Sequence, residues 1–246
     1  MGRGARVLID RLRMRQDNVK SLGQHFLNNE EVLDETISLA DILADDNVIE
    51  IGPGPGVLTE RLLESGCTLT AIELDSGICE FLRDNFPDLN LIEGDALKET
   101  WPKVNKVVAN IPYQISSPLV FKLLAHRPMF RCAVIMFQEE FALRLTAKPG
   151  DPLYCRLSVN TQLLARVQQL MKVSRNNFRP PPEPVVSTTG VLNLVCLPNF
   201  SATTVAKGYT VEEPTMRIWS RATAEPAKVR TAILASVRVL RNIVFS

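Results

Sequence analysis

Apolar positions along this chain follow two rhythms that take turns. Short runs rich in branched residues read as buried strands: Val48 to Ile51, Thr68 to Leu74, Leu89 to Glu93, Val107 to Ala109, Cys132 to Phe137, Val167 to Val173 and Val191 to Leu197. Between them, apolar residues fall at helical spacing. Leu33, Thr36, Ile37, Ala40 and Leu43 mark one helix, capped by Asn28 or Asn29, and Val57, Leu58, Leu62 and Ser65 mark another that stops at Gly66. Further helices are predicted around Ile78 to Asn85, from Ser116-Ser117-Pro118 onward, over Gln138 to Ala147 and over Cys155 to Leu164. Strands alternating with helices predict a doubly wound α/β sheet with helices on both faces.

In such a sheet, ligands bind at the carboxyl ends of the strands. The unusual polar groups cluster there. Gly52-Pro53-Gly54-Pro55-Gly56 follows the first run, Glu73 ends the second, Asp95 follows the third, and Asn110-Ile111-Pro112-Tyr113 follows the fourth. The glycines let a ligand approach the backbone, and Glu73, 21 positions after Gly52, can accept hydrogen bonds from both hydroxyls of a ribose. That spacing suits a dinucleotide or an adenosyl cofactor. The glycines lack the G-x-G-x-x-G spacing of dinucleotide sites, and Pro53 and Pro55 remove amides that a pyrophosphate needs, which favours the adenosyl group. Asp95 can accept from an adenine amino group or cap a helix. Asn110 offers an amide, Pro112 pushes Ile111 out of the helical region, and Tyr113 presents a flat face for a planar heterocycle.

Composition changes this picture little. The 246 residues suit one large domain with a small appendage, and no apolar run is long enough to span a membrane. The five cysteines are scattered and only His25 and His126 are available beside them, so no metal site is expected. Net charge is only +1, but the two ends are basic. Arg3, Arg6, Arg11, Arg13, Arg15 and Lys20 outnumber Asp10 and Asp17 in the first 27 residues, which suggests a polyanionic partner.

Taken in order, Glu50-Ile51-Gly52-Pro53-Gly54, Glu73-Leu74-Asp75, Gly94-Asp95-Ala96 and Asn110-Ile111-Pro112-Tyr113 resemble a class I S-adenosylmethionine-dependent methyltransferase. With Leu22-Gly23-Gln24-His25-Phe26-Leu27 ahead of them, they resemble the ribosomal RNA adenine dimethyltransferases. Phe130-Arg131-Cys132-Ala133, Phe137-Gln138-Glu139-Glu140-Phe141-Ala142 and Asn176-Asn177-Phe178-Arg179-Pro180-Pro181-Pro182 look like the eukaryotic branch.

The resemblance implies a Rossmann-like class I methyltransferase sheet with S-adenosylmethionine as cofactor. His25 and Leu27 would line its methionine end with Gly52 beneath; Glu73 would hold the ribose and Asp95 the adenine, and Asn110 would bridge cofactor and substrate. Ile111 would supply a carbonyl to the acceptor amine, Pro112 would stiffen the turn, and Tyr113 and Phe178 would sandwich the extruded base, although Phe178 can equally be core packing.

The implied reaction is N6,N6-dimethylation of two adjacent adenosines near the 3′ end of small-subunit rRNA. The implied setting is a pre-ribosomal particle in the nucleolus, with mitochondrion or cytoplasm as alternatives, and a monomeric enzyme without metal or membrane partner. Two rival readings stand beside it: an assembly factor that keeps the fold with little dependence on catalysis, and a methyltransferase of DNA adenine or protein glutamine. The chain divides into a basic arm (1–20), a methyltransferase domain (21–198) and a divergent extension (199–246). In the extension Val229, Ile233, Val237, Leu240 and Val244 form an apolar helical stripe among basic residues.

Overall fold

The structure is a computed structural model that describes residues 26–27, 29–179 and 189–196. The basic arm, His25 and the 199–246 extension with its apolar stripe lie outside the described residues. A seven-stranded sheet runs in the order β4-β3-β2-β5-β6-β9-β7. Its strands are β2 (Asn47–Ile51), β3 (Thr68–Glu73), β4 (Asn90–Glu93), β5 (Lys106–Asn110), β6 (Cys132–Gln138), β7 (Arg166–Ser174) and β9 (Thr189–Cys196). The first five are parallel, while β9 is antiparallel to both β6 and β7. The last of the described strands thus enters the sheet between two earlier ones. A separate two-stranded ribbon pairs β1 (Phe26–Leu27) with β8 (Phe178–Arg179).

Alternation along the strands explains the layers. Val48, Leu69, Ala71, Val108 and Val134 bury against α1 (Glu30–Ala40), α2 (Val57–Glu64) and α3 (Ser76–Asn85), through residues such as Leu33, Leu62, Ile78 and Leu82. Their neighbours Ile49, Ile51, Ile72, Val107, Ala109 and Ile135 bury on the other face. There they meet α4 (Ser116–Ala125) through Leu119 and Leu123, α5 (Glu139–Thr146) through Leu145, and α6 (Arg156–Leu164) through Leu157 and Leu164. Successive strand residues face opposite sides, so a strand covered on both sides reads as a continuous apolar run. Each fully buried Ile or Leu contributes roughly 1.5–3 kcal/mol by removal from water.

Helix starts follow local chemistry. The Asn29 side chain accepts from the Val32 amide at 3.2 Å and caps α1. Asp75 accepts from the Gly77 and Ile78 amides at 2.8 and 3.0 Å and caps α3. Gly56 opens α2 at φ 78°, and a Cβ there would lie 2.5 Å from the Phe86 ring, so both backbone and space require glycine.

At the amino ends of the strands sits a buried charge cluster. Lys106, 5% exposed, meets Asp46, 2% exposed, at 3.2 Å, and also donates to the carbonyls of Ala40, at 2.8 Å, and Asp41. Arg131 pairs with the other Asp46 oxygen. Asp46 further accepts from the Leu43 amide at 3.0 Å, so one carboxylate ties the end of α1, the start of β5 and the approach to β6. Removing one partner strands a buried charge, which costs far more than the intact pair contributes. Asp46→Ala is therefore expected to lower unfolding free energy by about 3–5 kcal/mol in urea titrations. A loss below about 1 kcal/mol would show that Lys106 is satisfied without it.

Candidate active site

Strand register places the expected polar residues side by side. Ile51 pairs with Ile72 on one side and Ala109 on the other, and Glu73 pairs with Glu93, so the carboxyl ends of β4, β3, β2 and β5 open onto one cleft. The order reverses between β2 and β5, the switch point where open α/β sheets bind ligands. The cleft is lined by Leu27, Glu50, Gly52, Glu73, Leu74, Asp95, Asn110, Ile111, Pro112 and Tyr113, with Leu33, Thr36, Leu58, Ile72, Ala96 and Met136 among the apolar walls.

Glu73 is 4% exposed, a buried carboxylate rather than a surface one. Its Oε2 accepts from the Gly54 amide at 3.2 Å, and its Oε1 accepts from the amides of Leu74 and Asp75 at 2.8 and 3.0 Å. The glycine loop is thus moulded around the carboxylate. Burial pushes the Glu73 carboxyl up from its ordinary value, and the amides of Asp75, Gly54 and Leu74 oppose the shift. Oε1 is taken up by two amides, so the acceptor capacity that remains is on Oε2. Gly52, at φ 68°, takes a conformation that a side chain would strain, although the space around it is open.

Asp95 does two jobs. It lines the cleft, and its Oδ1 accepts from the Leu97 amide at 2.9 Å, capping a turn rather than a helix. Asn110 ends β5, and Pro112 leads into a 3₁₀ turn, Tyr113–Ile115, closed by the Ser116 hydroxyl donating to the Tyr113 carbonyl at 2.8 Å. Ile111 is buried, while Asn110 and Tyr113 are half-buried at the cleft. Burial pushes the Tyr113 phenol up, so it stays protonated near neutrality and offers its ring rather than a base.

Phe178 does not reach the cleft: it is 1% exposed and packs in the core with Leu27, Val32 and Leu33. It stands opposite Leu27 in the β1–β8 ribbon, and the two share one core cluster. His25 lies outside the described residues, which leaves Leu27 as the representative of that stretch.

Sequence reasoning missed Glu50 as a site residue. It is 1% exposed, lines the cleft, and accepts from the Thr59 hydroxyl at 2.7 Å. The signal was present as a lone charge inside an apolar strand. Burial raises its carboxyl to about 8; the Thr59 hydrogen bond works against this and the nearby Glu73 carboxylate adds to it. Glu50, Glu73 and Asp95 give the cleft three carboxyl groups, and no Lys, Arg or His lines it among the described residues. Such a lining supplies no cation for a pyrophosphate, and its carboxyl oxygens suit a ligand carrying ribose hydroxyls and an amino-bearing heterocycle. Among the described residues no cluster of three or more His, Cys, Asp or Glu is placed to hold a metal ion, and no helix is long and apolar enough to cross a membrane.

The folded chain holds Glu50's proton between the ordinary carboxyl value of 4.5 and about 8, whereas the unfolded chain releases it. Stability of the unliganded protein therefore falls as pH rises through that window and levels off above it. Glu50→Gln, which keeps an acceptor for Thr59, is expected to flatten this decline in Tm measured by circular dichroism from pH 5 to 8.5. An unchanged slope would show that Glu50 is ionised in the folded state.

A profile described as "Ribosomal RNA adenine dimethylase" matches residues 15–189. The chain is 56% identical over 170 residues to the "Ribosomal RNA small subunit methyltransferase" of Arabidopsis thaliana, an alignment covering 67% of this chain and 48% of that one. It is 54% identical over 170 residues to a "Probable dimethyladenosine transferase" of Drosophila melanogaster, covering 67% and 56%. The chain thus spans about half the length of these curated relatives. Among solved structures, the crystal structure of a dimethyladenosine transferase from Plasmodium falciparum matches with a TM-score of 0.64 at 41% identity, covering 71% of this chain and 64% of that one. The fold is the Rossmann-like class I methyltransferase fold, and the chain belongs to the ribosomal RNA adenine dimethylase family.

Proposed function

We propose that this chain transfers methyl groups from S-adenosylmethionine to the N6 amino group of adenosines in ribosomal RNA, two adjacent adenosines near the 3′ end of the small-subunit RNA being the substrate. The observation that carries this reading is a switch-point cleft with three carboxyl groups, no lining cation among the described residues, and Asn110-Ile111-Pro112-Tyr113 along its wall. The Arabidopsis small-subunit rRNA methyltransferase and the Drosophila probable dimethyladenosine transferase support adenosine methylation in ribosomal RNA. A pre-ribosomal particle in the nucleolus is the proposed setting, with the chain acting as a monomer.

The residues present fit the cofactor. Glu73 would accept from a ribose hydroxyl through the Oε2 position that the three amides leave, Asp95 would accept from the adenine amino group, and Leu27, Gly52 and Asn110 would hold the methionine end. When bound, the cofactor supplies an electrophilic sulfonium methyl.

The acceptor nitrogen is a poor nucleophile because its lone pair is delocalised into the adenine ring. Hydrogen bonds from its two protons to the Asn110 side-chain oxygen and the Ile111 carbonyl favour a pyramidal nitrogen with a localised lone pair. Tyr113 stacks on the base, and its neutral phenol leaves the proton where it is. The chain's contribution is orientation and charge complementarity rather than general-base catalysis. After the first transfer the sulfur leaves as the neutral thioether and the cationic nitrogen releases one proton to water; the monomethylated nitrogen then keeps a single proton, so the second transfer needs only one acceptor.

The test is incubation with methyl-labelled S-adenosylmethionine and small-subunit precursor particles, followed by mapping of the labelled nucleotide. Label is expected on adjacent adenosines near the 3′ end, and Asn110→Ala is expected to reduce the rate by about 10²–10³-fold, the scale of losing one oriented transition-state hydrogen bond. Wild-type chain that binds particles without labelling them would favour the assembly-factor reading. Label undiminished in Asn110→Ala would overturn the site.

A further inference from the structure

The segment that carries Phe178 is paired with the strand that carries Leu27, a wall of the cleft. Strand β8 pairs antiparallel with β1, with Leu27 opposite Phe178 and Phe26 opposite Arg179. Opposed residues in such a ribbon share a face, and Leu27 and Phe178 both enter the same core cluster. Leu27 is also a wall of the cleft, as are Leu33 and Thr36 of α1, so the residues joining β1 to α1 connect two walls. Asn29 stands in that junction.

The Asn29 amide is used at both ends. Its Oδ1 accepts from the Val32 amide at 3.2 Å, which fixes the orientation of the group. Its Nδ2 then points outward and donates to Asn177 Oδ1 at 3.2 Å, across 148 positions of sequence. Asn177 immediately precedes Phe178, so the junction is gripped twice, by the amide pair and by the ribbon.

We infer that Asn177 is a positioning residue for cofactor binding: it holds Asn29, and with it the β1–α1 junction that sets Leu27 and Leu33 against the methionine end of the cleft. Asn177 is not among the residues that line the cleft and acts only through Asn29 and β1. The inference rests on the cofactor reading given above.

Titration calorimetry with S-adenosylhomocysteine, paired with thermal melts of the full chain, tests it. Asn177→Ala is expected to raise Kd by about three- to tenfold, the scale of one net hydrogen bond, with a small change in Tm. Asn177→Asp keeps an acceptor for the Asn29 amide and is expected to bind within about twofold of the wild type. Asn29→Ser keeps an oxygen to cap α1 but is too short to reach Asn177, and it is expected to weaken binding as Asn177→Ala does. The double variant Asn29→Ser/Asn177→Ala should bind no more weakly than either single one, because both remove the same contact.

Unchanged affinity in a folded Asn177→Ala, an Asn177→Asp as weak as alanine, or additive losses would each overturn the inference. If Asn177→Ala does not fold, Asn29→Ser and Asn177→Asp decide by the same criteria. Wild-type chain that binds no S-adenosylhomocysteine overturns the cofactor reading and this inference together, whereas wild-type binding with an indifferent Asn177→Ala overturns this inference alone.

Discussion

A buried carboxylate with no cation among the described lining residues is the constraint around which the cleft is arranged. Glu73 is held by three backbone amides, one from the loop after β2 and two from the turn after β3. Those bonds offset part of the cost of burial and draw the two loops together, which gives the cleft its floor. Glu50, a strand away, shares the same surroundings and accepts one side-chain hydrogen bond, from Thr59. Two acidic groups kept this close without a protein cation are costly to ionise together, so positive charge arriving with a ligand is matched to a deficit already in place.

The two ends of the sheet handle charge in opposite ways. At the amino ends, Lys106, Asp46 and Arg131 pair with each other and with backbone carbonyls, and every charge there has a protein partner. At the carboxyl ends Asp95 meets Lys98 at 3.4 Å and Glu93 meets Arg83 at 2.8 Å, whereas the buried Glu50 and Glu73 have no cation among the described lining residues. The first arrangement fixes strand ends relative to helix α1; the second leaves an electrostatic imbalance where the topology opens a crevice. Stability and binding are thus assigned to opposite ends of the same strands.

Much of this was legible in the sequence because it rests on local pattern. Strands buried on both faces appear as continuous apolar runs, and Val107 to Ala109 was read within a residue of β5 at either end. Gly52, Glu73, Asp95 and Asn110 were readable because each follows such a run, and the parallel register does the rest. What was not legible depends on long-range pairing. A two-residue strand such as Phe26–Leu27 has no periodicity to detect, and its partner lies some 150 residues away. Phe178 could be read as core or as a stacking ring, and its place opposite Leu27 in the core cluster depends on a pairing that no local pattern reveals. Glu50 was hidden for a different reason: it looks like one more motif residue until its burial is known.

The insertion of β9 between β6 and β7 has a consequence for the order in which the chain becomes complete during synthesis. Strands β2 to β6 can form their parallel ladder as soon as Gln138 has emerged. Strand β7 has no neighbour in the sheet until Thr189–Cys196 follows it. The ribbon behaves likewise, since β1, made first, waits for Phe178–Arg179. A nascent chain therefore carries the acidic floor of the cleft well before it can fix the wall that Leu27 provides. The earliest of the described residues to be made are among the last to be fastened.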